Sequence, residues 1–137
     1  MANYGLYKNI DPATLSSDAA AILENISRSG KSINDLNNSL SDSIWKCGAK
    51  STLKEGLSKI SGVVLTDITT SINNLVTVAG YISSYKEAEQ QALNIKSSLA
   101  NTPNTPENAG TISALQSDLS IAETNMNTYE GKVKGMI

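Results

Sequence analysis

Glu87 with Glu89, Asp118 with Glu123, and the lone thiol of Cys47 are the side chains whose types and spacing could do chemistry. Two carboxylates divide acid and base work only when both reach one reacting atom. Glu87 and Glu89 are two apart and point to different sides of a helix. Asp118 and Glu123, five apart, do not converge either, and all four read as a solvated surface. Cys47 follows Lys46 and lies near Lys50, a setting that favours thiolate, although a small apolar side chain in a loop is its plainer role. The chain has no His and one Cys, so an intrachain disulfide and a Cys/His metal site are both excluded. No glycine-rich phosphate loop of either common spacing occurs. The chain is therefore expected to be no enzyme and to need no cofactor and no metal.

Charge narrows the partners. Eleven basic and 13 acidic residues leave a net charge of −2, which offers neither nucleic acid nor an anionic membrane surface an electrostatic reason to bind. The start, MANYGLYKNID, lacks a basic segment followed by an apolar run, and the strongest apolar stretch, Val63-Val64-Leu65, is far too short to cross a bilayer. No transmembrane segment is expected. The expectation is synthesis in the cytoplasm and, if the protein leaves the cell, secretion without a cleaved signal peptide.

The elements that would position these groups are helices, in one all-α domain spanning residues 1–137. Asp11-Pro12 reads as a helix start, the carboxylate facing free N–H groups and the proline standing where a missing donor is harmless. Leu15, Ala19, Ile22, Ile26, Ser29, Ile33, Leu36 and Leu40 then repeat at alternating spacings of four and three, a heptad seam that predicts a first helix over about 12–43. Gly48 is placed to end a helix or turn the chain in the left-handed conformation. Thr52 with Glu55 reads as a capping box for a second helix over about 50–100. Its stripe is Leu53, Leu57, Ile60, Val64, Ile68, Ile72, Leu75, Ala79, Ile82 and Tyr85, with a phase shift near residue 68, continued by Leu93, Ile95 and Leu99. Two prolines make 101–106 a linker. Ile112, Leu115, Leu119, Ala122, Met126, Tyr129, Val133 and Met136 predict a third helix over about 106–135.

Short connections make neighbours antiparallel, so the expected fold is an elongated helical hairpin extended to a three-helix bundle. Ser, Thr and Asn supply 44 of the 137 residues. These compete for backbone hydrogen bonds and form helices indifferently, so the helices need packing support. Narrow seams leave apolar flanks open, and a dimer follows as the expected state. Leu15, Ile22, Ile26, Ile33, Leu36, Leu40, Leu115, Leu119 and Met126 are the candidate partner-packing residues. Trp45 is the sole tryptophan, read as a plug for the hairpin end and as an aromatic anchor for a partner. Tyr81 and Tyr85 share a helix face with Glu89 one turn on; they would widen the seam, or present an exposed signal.

In their order along the chain these pieces resemble the WXG family of small helical-hairpin proteins exported by type VII secretion systems, or a related small helical adaptor of type VII toxins. The resemblance covers about residues 8–90: Ile10-Asp11-Pro12, a heptad helix, a bend with Trp45 and Gly48, then Tyr85-Lys86-Glu87-Ala88-Glu89. The bend here has two residues between Trp and Gly where the family has one, and residues 101–137 exceed its simplest members. The resemblance implies that Trp45 and Gly48 form the bend motif and that Tyr85 and Glu89 form the export signal. It implies a homodimer or a heterodimer with another small helical protein or the helical N-terminal domain of an effector, with the secretion ATPase as a further partner and chaperone-like escort as the role. Two other readings stay open: a filament or needle subunit of a different secretion apparatus, and a lipid-surface amphipathic protein.

Overall fold

The computed structural model describes residues 1–42 and 48–137. Every regular element among them is helical: α1 Pro12–Asp42, α2 Gly48–Lys59, a π-helical turn Ile60–Val64, α3 Leu65–Asn101, a 3-10 turn Pro106–Asn108 and α4 Ala109–Met136. The fold is all-α with antiparallel neighbours, as the heptad spacing and short connections require. It divides into two compact units, one made of Met1–Ala13 with Thr77–Ile137 and a second of Thr14–Val76.

In the Thr14–Val76 unit, α1 runs antiparallel to α2 and the start of α3. Asn37 donates from Nδ2 to Ser58 Oγ at 3.1 Å, Ser61 Oγ donates to Asn34 Oδ1 at 3.3 Å, and Gly30 lies beside Leu65. One set of numbers falls as the other rises. Asp11 Oδ1 accepts the Ala13 N–H at 3.1 Å and so caps α1 as expected.

The inner face of this pair differs from the expected seam. Leu15, Ala19, Ile26, Ile33 and Leu40 turn inward, but the intervening inward positions are Leu23, Gly30 and Asn37, one residue later than Ile22, Ser29 and Leu36. Across from them the π turn inserts an extra residue, so the inner face passes from Leu57 to Ser61, Leu65 and Thr69 instead of Ile60, Val64 and Ile68. The shift expected near residue 68 thus occurs one to two turns earlier. A helix pair can cover only one line of each ribbon, and the Asn–Ser hydrogen bonds fix which line.

Two further expectations need correction. Gly48 opens α2 and is not left-handed; among the described residues only Gly5 has a positive φ, +74°. Thr52 is not an N-cap: its hydroxyl donates to the Gly48 carbonyl at 3.1 Å from inside the helix. The helix starts earlier than the capping box suggested, and the box has no free N–H groups left to serve.

In the unit of Met1–Ala13 with Thr77–Ile137, α4 returns along the second half of α3. The α4 seam is as expected, with Ala122, Met126 and Val133 buried and Ile112, Leu115, Leu119, Tyr129 and Met136 half-buried. On α3 the inner line takes Ala88 and Ala92, whereas Leu93 is exposed. Small side chains at Ala88, Ala92 and Ala122 leave room for two large ones, Tyr85 and Met126, which are fully buried. Thr105 N–H donates to the Pro103 carbonyl at 2.9 Å, and Asn108 Nδ2 donates to the same carbonyl at 2.9 Å, closing the proline linker. Residues 1–10 form a non-helical strap whose Ala2, Tyr4 and Tyr7 pack on this core.

No helix among the described residues is long and apolar enough to cross a membrane.

Candidate functional site

Two surfaces carry the residues singled out above. The first belongs wholly to the Thr14–Val76 unit. Successive residues of an α-helix are about 100° apart. Viewed end-on, two antiparallel helices run their sequences in opposite senses, so the residue just before each inward position falls on the same side of the pair. Here those residues include Ile22 and Leu36 on α1, interspersed with Thr14, Asp18, Asn25, Ser29, Ser32 and Ser39, and Leu53, Ile60, Val64 and Ile68 along α2, the π-helical turn and the start of α3. The six aliphatic side chains are each 42–49 % exposed. Together they present about 500 Å² of apolar surface, at the top of what a lone protein usually shows in one patch.

Three charge pairs of this unit lie within single helices, on their outer faces. Arg28 pairs with Glu24 at 2.5 Å, Lys31 with Asp35 at 3.8 Å and Lys59 with Glu55 at 3.7 Å. Exposed pairs of this kind add little stability.

Of the candidate packing residues, Ile22 and Leu36 lie on this open side, and Leu15, Ile26, Ile33 and Leu40 are spent inside the hairpin. Met126 is buried in the core between α3 and α4 and Leu119 packs against it, while Leu115 is half-buried on the same seam.

The second group holds Tyr85 and Glu89; of the two readings given above, the structure places Tyr85 in the seam. Tyr85 is 0 % exposed, its hydroxyl donates to the Asn3 carbonyl, and its ring meets Tyr7 edge-on at 4.9 Å between centroids. Glu89 accepts the Gly5 backbone N–H. The strap covers both because α3 alone cannot bury a tyrosine on the side that α4 leaves open. Burial, with the Glu89 carboxylate next in effect, pushes the Tyr85 phenol up to about 12.

Carboxylates that read as solvated hold the same strap. Glu123 accepts from Tyr4 Oη at 2.7 Å and pairs with Lys96 at 3.4 Å, while the Lys96 ammonium lies 3.8 Å from the centre of the Tyr4 ring. Buried Glu130, not singled out in the sequence, accepts two hydrogen bonds from Asn3 Nδ2 at 2.9 and 3.0 Å and pairs with Lys134. The Tyr4 hydroxyl holds the Glu123 carboxyl below the usual glutamate range, and Lys134 does the same for Glu130. Glu87 stays exposed. Exposed Asp118 lines an open cleft of about 390 Å³ between α3 and α4, along with Gln91, Asn94, Ile95, Ile121 and Ala122. Trp45, the other half of the expected bend motif, and Cys47 lie outside the described residues.

Sequence reasoning missed the strap. Its signal was that Tyr4 and Tyr7, two of five tyrosines, fall within seven residues that carry no helix pattern. Comparison with family models, curated proteins and solved structures finds no match to this chain.

Proposed function

We propose that this chain is a non-enzymatic helix-pairing protein that lays one side of its α1/α2 hairpin on the helices of a second small helical protein, a copy of itself included. The observation that carries this reading is the line of half-exposed aliphatic side chains from Ile22 to Ile68 on one side of the hairpin. A standard interface takes about 800 Å² from each partner, a little over half of it apolar, and half-exposed aliphatic side chains are what such a surface is built from.

The resemblance of residues 8–90 to type VII hairpin proteins extends the reading to secretion: the chain is exported, or escorts an effector by pairing with its helical N-terminal domain, and the bundle so formed meets the secretion ATPase. Within that role Tyr85 and Glu89 act as a signal only after the strap has moved. The test is light scattering of wild type and of an Ile60→Asp/Ile68→Asp variant, alone and with a candidate helical effector domain. Wild type should form a complex of two chains and the variant should stay monomeric with unchanged far-ultraviolet circular dichroism. Wild type that stays monomeric in every mixture, or a variant that pairs as well, overturns the reading.

A further inference from the structure

We infer that the groove between α3 and α4 is a binding site for a non-helical, tyrosine-bearing segment, filled in cis by residues 1–10 and able to take the same segment from a second copy of this chain. This surface is separate from the open side of the hairpin, and the inference does not rest on the function proposed above.

The recognition is that of a peptide in a site. Tyr4 is gripped at both ends, its hydroxyl by Glu123 and its ring by Lys96. Tyr7 stands edge-on to Tyr85. Between them Gly5 takes a left-handed φ of +74°, which turns its N–H toward Glu89 and which a residue with a Cβ adopts only at a cost. Asn3 is read twice, its amide by Glu130 and its carbonyl by Tyr85, and the Ile10 carbonyl accepts from Lys86. Every contact comes from α3 or α4, and the strap has no regular structure of its own. Its only internal backbone bonds are two turns, Lys8 N–H to the Gly5 carbonyl at 3.3 Å and Ile10 N–H to that of Tyr7 at 3.1 Å. A segment held wholly by side chains of other elements keeps the same contacts when its place is taken by an identical segment from another molecule, which is the condition for exchange between copies. The second copy is the occupant because its strap brings the same asparagine, tyrosines and glycine at the same spacing.

The cis strap competes at a high effective concentration, so the test weakens it. A labelled peptide of residues 1–11 is titrated into wild type and into full-length Tyr4→Ala/Tyr7→Ala. The variant should bind the peptide at least tenfold more tightly than wild type, and a peptide carrying the same two substitutions should bind neither. Equal affinity for both proteins, or no binding by a variant that keeps its helicity, overturns the site. A second measurement needs no variant: in wild type, hydrogen exchange at Gly5, Lys8 and Ile10 should proceed while amides of α3 and α4 remain protected. Exchange of the strap only together with those helices overturns the inference. The source is tested by mixing wild type bearing a donor on its N-terminal amine with Cys47→Ser/Asn127→Cys bearing an acceptor. Energy transfer should rise with concentration and persist when Ile60→Asp is added to both; its absence overturns exchange between copies.

Discussion

The two units are built from the same kinds of helix and end with different cores. α3 and α4 meet through alanines, close around Tyr85 and Met126, and receive a third layer in the strap. The Thr14–Val76 unit has two layers and buries only Ala19 and Leu57 among its described residues. Its inner face spends Gly30, Asn37, Ser61 and Thr69 where large apolar groups could stand, and buried Asn37 Oδ1 has no hydrogen-bond partner among the described residues. Two helices cover one line of each other, and a third element is what turns a line into a core. What one unit receives from its own N-terminal segment, the other lacks among its described residues.

The largest test of this contrast is a pair of truncations. Tyr85→Ala should cost about 3–5 kcal/mol, since it empties a closed site and removes the strap's ring contact, whereas Leu57→Ala should cost about 2 kcal/mol because the surface around it can collapse. Chemical denaturation of both variants checks the order, and equal losses would mean that the cores do not differ.

Protonation should act on the strap next. Glu123 and Glu130 have carboxyls lowered from 4.5, so their contribution is complete above that value and is lost as pH falls below it. Tyr85 runs the other way: a phenol raised from 10.0 to about 12 contributes fully below pH 10 and loses that contribution as pH rises toward 12. Nuclear magnetic resonance shifts of Gly5 and Tyr7 should report release at both extremes while α1 amides hold their positions.

Gly5→Ala forces a side chain into the left-handed region and should cost about 1–2 kcal/mol, seen as faster exchange of strap amides. The smallest effect expected is a gain. A Cβ at Gly30 would meet Leu65 Cδ1 at 3.5 Å, an ordinary contact, so Gly30→Ala should stabilise α1 by about 1 kcal/mol in thermal unfolding.

Much of this was legible in the residues. Asp11-Pro12 capped the helix it was expected to cap, the two prolines placed the linker, and every member of the α4 seam from Ile112 to Met136 turned inward. The seam of α1 was legible only to within one residue, because Ile22 and Leu23 are both apolar and periodicity cannot choose between them. The Tyr85 and Glu89 pair was found and Tyr85 was legible as a seam residue, but not the strap that covers the pair. Spacing places two side chains on one face of a helix, and it does not say what lies over that face.

Local rules settled what the backbone does: helical spacing, a proline or a capping carboxylate acts within a few residues, and the element order follows from them. Which side of each helix is buried came from the tertiary structure. The π turn, the Asn37–Ser58 and Asn34–Ser61 hydrogen bonds and the strap join residues 21 to 127 apart in sequence or change the phase between them. A burial pattern is a property of two surfaces at once, and a periodic sequence describes only one.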